Sequence, residues 1–170
     1  MILPNLELVL GGAASGKSAF AEARVLADGG APVYVATAQA FDVEMTAKIA
    51  AHRDARGPGW ATVEAPLDVA GALDGAPRHA PVLLDCATLW LSNLLHAGHD
   101  VAAQTDALLA AVGRRAGLVV VVSNEVGGGI VPENRMARQF RNAQGALNQQ
   151  LAAAACGVTC VIAGLPMVLK

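Results

Sequence analysis

The stretch Gly11-Gly12-Ala13-Ala14-Ser15-Gly16-Lys17-Ser18 constrains this chain more than any other. It matches the pattern G-x-x-x-x-G-K-[ST] at every fixed position, with apolar Leu6–Leu10 before it and Ala19-Phe20-Ala21-Glu22-Ala23 after it. A strand running into a helix is the context in which that pattern makes a phosphate-binding loop. Glycines let the backbone curl until several N–H groups point at one anion. The following helix adds its unpaired N–H groups and the positive end of its dipole. Lys17 brings a mobile cation to the β- and γ-phosphates, and the Ser18 hydroxyl can complete a Mg²⁺ shell. Gly11, Gly12, Ala13, Ala14, Ser15, Gly16, Lys17 and Ser18 are therefore expected to hold a nucleoside triphosphate.

A length of 170 residues with 54% hydrophobic and 15% charged content fits one domain, 1–170, with a sizeable core. The net charge of −2 and the absence of a Lys/Arg block argue against a nucleic-acid binder. Cys86, Cys156 and Cys160 have no zinc spacing, and no signal peptide precedes Leu6. They read as reduced, mostly buried thiols of a cytoplasmic protein. Asn142 to Leu169 carries no formal charge, yet Asn148, Gln149 and Gln150 interrupt it, and Gly157, Gly164 and Pro166 break the remainder. A helix leading into a buried strand suits it better than a membrane span, which needs about 20 apolar residues.

Along the chain, Leu6–Leu10 reads as the first strand and Ser18 to about Ala27 as the first helix, stopped at Asp28-Gly29-Gly30. Val33–Ala36 is a second strand; Thr37-Ala38-Gln39 leaves its ligand-facing end. Asp42 caps a helix to about Ala55, broken by Gly57-Pro58-Gly59. Trp60–Glu64 is a candidate strand, Leu67–Leu73 a candidate helix, and Asp74–Pro81 a connection. Val82–Asp85 is a strand, followed by helices over Thr88–His96 and Val101 to about Arg115. Leu118–Val122 is a strand buried on both faces. Ser123 to Pro132 forms a Gly-rich loop, and Glu133 to about Ala155 the longest helix. Val158–Ala163 is another strand, with Met167–Leu169 at an edge. This alternation predicts an α/β fold with a doubly wound, mainly parallel sheet.

Three further groups of residues carry chemistry. Asp85 ends an aliphatic strand and is either the acid that holds Mg²⁺ near the loop or the cap of the next turn. His52 shares a helix face with Met45 and Ile49 and is flanked by Lys48, Arg53 and Arg56, so it either packs or serves a polyphosphate. Arg135, Arg138 and Arg141, behind the Gly-rich loop, are either a solvated face or an anion site.

Together with Gly11–Ser18, the strings Tyr34-Val35-Ala36-Thr37-Ala38-Gln39, Glu44-Met45 through His52-Arg53, and Asp85-Cys86 carry a resemblance. So do Ser123 to Asn134, Phe140-Arg141, Gln144-Gly145 and Leu147-Asn148-Gln149. Over essentially its whole length the chain resembles the bifunctional adenosylcobinamide kinase/adenosylcobinamide-phosphate guanylyltransferase family of cobalamin biosynthesis. The resemblance implies a RecA-like P-loop domain assembled as a homotrimer. It implies phosphorylation of adenosylcobinamide by ATP or GTP, then transfer of GMP from GTP onto the adenosylcobinamide phosphate through a GMP–histidine intermediate. The family's nucleophile falls on His52. Its nucleotide contacts fall on Gly11–Ser18, on Ala36, Thr37 and Ala38, on Arg53, Asp54, Ala55 and Arg56, and on Glu64 and Asp85. Ala14 replaces a usual Arg, Asn142 an Asp and Cys156 an Asp.

Imidazole suits such a role, being neutral and nucleophilic near neutral pH. Two rival readings stay open on the residues alone. One is a monofunctional P-loop kinase in which His52 only packs. The other is a RecA-like nucleotide switch, which would want more aromatic platforms than Phe 3, Trp 2 and Tyr 1 provide.

Overall fold

A computed structural model describes residues 1–39, 57 and 59–170. Among them, seven strands form one sheet in the order β3-β2-β4-β5-β1-β6-β7. In chain order the elements are β1 (Leu3–Gly11), α1 (Lys17–Asp28), β2 (Val33–Ala36), β3 (Ala61–Glu64), α2 (Val69–Gly75) and β4 (Val82–Asp85). Then come α3 (Ala87–His96), α4 (Val101–Arg114), β5 (Val119–Asn124), α5 (Arg135–Ala154), β6 (Ala155–Ile162) and β7 (Leu165–Val168). Every neighbouring pair is parallel except β6–β7. The predicted α/β class with a mainly parallel sheet is the one observed. The helix expected from Asp42 to about Ala55, with His52, Arg53, Asp54, Ala55 and Arg56, lies outside the described residues.

The period of two along each strand divides the core. Leu6, Leu8, Val35, Leu84, Val119 and Val121 face one way, against Leu73 of α2, Trp90 and Leu94 of α3, Leu108 of α4, and Leu147 and Leu151 of α5. Val9, Leu83, Val120 and Val122 face the other way, against Ala21 and Val25 of α1. Burying each such Leu or Val side chain contributes about 1.5–3 kcal/mol. Glu7, on the second face, grips α1 through a two-pronged pair: Arg24 Nη2 lies 2.7 Å from Oε1 and Nε 2.9 Å from Oε2.

Helix starts follow caps more closely than apolar periodicity suggests. Asp68 accepts from the Gly71 N–H at 2.8 Å, so α2 begins at Val69 rather than Leu67 and runs on through Asp74 and Gly75. Asn134 accepts from the Met136 N–H at 2.7 Å, so α5 begins at Arg135 rather than Glu133. β5 extends two residues past the expected Val122, because Leu10 and Gly11 of β1 continue the ladder opposite Ser123 and Asn124. β6 starts directly where α5 ends.

The uncharged stretch is thus helix and strand, and no described helix is long and apolar enough to cross a membrane. Of the thiols expected to be mostly buried, only Cys86 is; Cys156 is exposed and Cys160 half-buried. Both lie on β6, next to an edge strand that leaves it thinly covered.

Candidate active site

β1 delivers the chain to the loop at Gly11, and α1 takes it away at Lys17. Two of the glycines are dictated by geometry. A Cβ on Gly11 would stand 2.4 Å from Ser15 Oγ and 2.6 Å from the Val161 carbonyl, so only hydrogen fits. Gly16 caps α1 with φ +92, a left-handed conformation that L side chains rarely adopt. A Cβ on Gly12, by contrast, would meet nothing within 4 Å. The loop closes on itself through Ser15 N–H to Gly12 O at 3.3 Å. It is braced from outside by Gly164, in the β6–β7 turn, whose N–H donates to Ser15 O at 2.8 Å. Lys17 Nζ donates to Gly12 O at 3.0 Å, which folds the cation over the curled backbone. The first turn of α1 carries no acidic residue, leaving its dipole open to an anion.

The strand register brings the other candidates to the same edge. Ala36 pairs with Asp85 and with Glu64, while Asn124 pairs with Gly11. One strand, β5, separates the loop-bearing β1 from the acid-bearing β4. Two inter-strand spacings place these strands about 10 Å apart. The Asp85 carboxylate accepts from the Tyr34 hydroxyl, 3.1 Å from Oδ2. The Tyr34 ring meets Trp60 edge-on, with centroids 6.2 Å apart at 85°.

Ser18 and Asp85 offer a hydroxyl and a carboxylate, the hard oxygen donors that suit Mg²⁺, which uses few protein ligands and keeps several waters. Among the described residues no three His, Cys, Asp or Glu gather into a metal cage. A hydroxyl with a single carboxylate fits a metal shared with a nucleotide.

Next to the acid, burial pushes the Cys86 thiol up to about 11, and the charge of Asp85 adds to that rise. The backbone at Leu89 and Thr88 and, least of all, the Lys17 ammonium pull the other way. A thiol so raised is no nucleophile at neutral pH.

Thr37 is fully buried at this edge, and its polar groups are turned inward. Its hydroxyl donates to Cys86 O and accepts from Cys86 N–H, both at 2.8 Å. Its N–H donates to Asp85 O at 3.3 Å, and its carbonyl accepts from Asn93 Nδ2 at 2.8 Å. Thr37 is thus a clasp that fixes the end of β4. Ala36 and Ala38 flank it half-buried, and Glu64 is exposed at the end of β3.

The strand end at Ser123-Asn124 is fixed by residues that sequence reasoning placed only within a family resemblance. Ser123 Oγ donates to Asn148 Oδ1 at 2.6 Å, and Gln144 Nε2 donates to both oxygens at 2.9 Å. Asn148 Nδ2 holds the Asn124 carbonyl at 3.0 Å, while the Asn124 N–H donates to Thr88 Oγ1 at 2.8 Å. The signal in the sequence is Gln144 and Asn148, spaced i and i+4 on the apolar stripe of Leu147 and Leu151.

The arginines behind the loop have a definite task. Arg138 Nη1 donates to the carbonyls of Pro132 and Glu133 at 2.9 and 2.6 Å. Arg141 reaches Ile130 O at 3.3 Å and also Gly127 O. Two of the three cations are thus neither a bare solvated face nor free anion ligands: they tie down loop carbonyls. His79, His96 and His99 are all exposed, away from this edge's interior.

Residues 7–169 match the family model CobU, described as cobinamide kinase / cobinamide phosphate guanyltransferase. The Pseudomonas aeruginosa protein named bifunctional adenosylcobalamin biosynthesis protein CobP is 43% identical over 167 residues, covering 96% of both chains. Salmonella typhimurium CobU, a bifunctional adenosylcobalamin biosynthesis protein, is 44% identical over 180 residues, covering 96% of this chain and 98% of its own. Escherichia coli CobU, of the same description, is 43% identical with the same coverage. Among solved structures, RadB recombinase superposes with a TM-score of 0.49 at 18% identity, over 94% of this chain and 75% of its own.

Proposed function

The chain belongs to the cobinamide kinase / cobinamide phosphate guanyltransferase family, and from that membership we propose how a single phosphate cradle serves both reactions. It is an enzyme of adenosylcobalamin biosynthesis, a cobinamide kinase and cobinamide phosphate guanylyltransferase. The observation that carries the proposal is the lone P-loop, Gly11–Ser18, opening onto the edge that also receives Asp85 and the 125–134 loop.

In the kinase reaction the backbone N–H groups of residues 12–17 surround the β- and γ-phosphates of ATP or GTP. Lys17 offsets the charge that spreads over the γ-phosphoryl oxygens as it moves to the side-chain hydroxyl of adenosylcobinamide. Ser18 and Asp85 would hold Mg²⁺, which neutralises phosphate charge when bound. In the second reaction His52 attacks the α-phosphorus of GTP, and the bond to pyrophosphate breaks. The phosphate of adenosylcobinamide phosphate then attacks the same phosphorus, and the P–N bond to His52 breaks, giving adenosyl-GDP-cobinamide. Arg53 and Arg56 neighbour His52 in sequence and supply charge for the departing pyrophosphate. Asp54, Ala55, Glu64 and the segment Ala36, Thr37 and Ala38 belong to the same proposed nucleotide contacts.

The decisive experiment incubates the protein with α-labelled GTP and Mg²⁺, without cobinamide. The expected result is label held as an acid-labile, base-stable phosphoramidate that returns GTP when pyrophosphate is added. His52→Ala should lose the label and keep the kinase step, which needs no imidazole. Label retained by that variant would move the nucleophile elsewhere, and equal loss of both activities would make His52 a packing residue.

A homotrimer forms part of the same proposal. Exposed Ile162, Leu165 and Val168 on the β6–β7 hairpin supply aliphatic surface suited to contact between copies. Sedimentation equilibrium at micromolar concentration tests it, and a monomer there rejects it.

A further inference from the structure

Tyr34 lies 6% exposed on β2, the strand next to that of Asp85. Its ring packs into the α1-side core with Val9, Leu83 and Val122. Its edge is set against Trp60. Its hydroxyl, the only polar atom on the side chain, donates to Asp85 Oδ2 at 3.1 Å. Core packing alone would be met by Phe, which leaves no hydroxyl to desolvate. A buried phenol is kept where its O–H has a partner, and one oxygen of the acid that ends β4 is such a partner.

The surroundings show what that bond adds. The backbone of Asp85 and Cys86 is already fixed by Thr37 through Asp85 O, Cys86 N–H and Cys86 O. What the clasp leaves undetermined is rotation of the carboxylate about its own axis. A carboxylate has two oxygens, and a metal shell shared with a nucleotide uses one of them in a fixed direction. Hydrogen bonds to a ligating carboxylate set that direction, and their loss commonly weakens metal binding.

We infer that Tyr34 is a positioning residue of the active site: by holding Asp85 Oδ2 it commits Oδ1 to the divalent-metal shell of the bound nucleotide. This rests on the reading of Asp85 as the metal-facing acid. It predicts that Tyr34 governs metal affinity while contributing nothing to nucleotide affinity in the absence of metal. The enzyme would then distinguish a metal-charged nucleotide from a bare one through a residue that touches neither.

The test uses the full chain as parent, Tyr34→Phe and Asp85→Asn, each saturated with α,β-methylene-GTP so that no phosphate bond at the α-position breaks. Mn²⁺ is titrated in and followed by electron paramagnetic resonance, and nucleotide affinity is measured separately in EDTA. Tyr34→Phe should weaken Mn²⁺ binding about tenfold, the low end for a partner of a metal ligand. Nucleotide affinity in EDTA should stay unchanged. The kinase step should need about tenfold more Mg²⁺ for half-maximal rate and recover its kcat once Mg²⁺ saturates. Parent-like Mn²⁺ binding in Tyr34→Phe, with weakened binding in Asp85→Asn, would leave Tyr34 as packing and overturn the inference. Parent-like binding in Asp85→Asn would instead remove Asp85 from the metal site, and the inference with it. Loss of nucleotide affinity in EDTA by Tyr34→Phe would mean a general disturbance of the site and would also overturn it.

Discussion

Two glycine-rich loops leave neighbouring strands at one edge of the sheet, and they are held in opposite ways. The loop after β1 is held by its own backbone and by steric closeness: Gly11 against Val161, Gly16 in a left-handed turn, and Ser15 O bonded to Gly164 N–H. The loop after β5, residues 125–134, is held largely by side chains, with Arg138 and Arg141 of α5 donating to its carbonyls and its own Glu125 carboxylate accepting from the Gly127 N–H. The two meet at one bond, Glu125 N–H to Gly11 O at 3.1 Å. A loop fixed by backbone geometry presents one shape to a phosphate whatever the surroundings. A loop fixed by exposed cations can be released by anything that competes for those cations.

The contrast breaks most severely at Lys17. Lys17→Ala should lower both kinase and guanylyl-transfer turnover by about a thousandfold or more, since charge stabilisation of this kind contributes several kcal/mol. Turnover assays on each half-reaction check this, and near-normal kinase activity would refute a single shared cradle.

Next in size is the steric half of the contrast. Gly11→Ala must push against the Val161 carbonyl, which is backbone and cannot swing aside. We expect a loss of about 1–3 kcal/mol in urea unfolding. Gly12→Ala, with open space around it, should change stability by less than about 0.5 kcal/mol. Equal losses in the pair would mean that the loop is not held by close approach.

On the side-chain half, Arg141→Ala should leave global stability nearly unchanged. Amide exchange across residues 125–134 should accelerate about tenfold or more, the worth of one hydrogen bond to a charged group. Hydrogen-exchange mass spectrometry reads this directly, and unchanged protection would show the loop to be held by something else.

The smallest effect concerns the thiols beside each region. An exposed Cys156 should react with a thiol reagent in the native protein, while Cys86 should react only on unfolding. A rapid second equivalent assigned to Cys86 would show the end of β4 to be open.

What the sequence disclosed divides along the same line. The loop after β1 is legible because each fixed residue answers a local demand, and the strands could be placed because β5 and its neighbours are unbroken aliphatic runs. Asp85 was found at a strand end for the same reason. The roles of Arg138 and Arg141 were not legible, since their partners are carbonyls whose path no side-chain pattern records. Nor were Thr37's clasp on Cys86 and Tyr34's bond to Asp85, which join positions 49 and 51 residues apart. Such contacts depend on which strands become neighbours, and β2 pairs with β4 while β3, which lies between them in sequence, takes the outer side of β2.

The brace from Gly164 to Ser15 has a consequence for the order in which this molecule can be made. β1 leaves the ribosome well before its neighbour β6 and the turn that supports the cradle, which lie far behind it along the chain. A nascent chain can thus curl its first loop long before it can lock it. Contacts this distant along the chain close late and slow the search for the native state. Until they close, β1 waits with one side of its ladder unpaired, where other strands or chaperones can reach it. Phosphate-binding competence should therefore arrive only once β6 and its turn have been made, rather than with the motif that announces it.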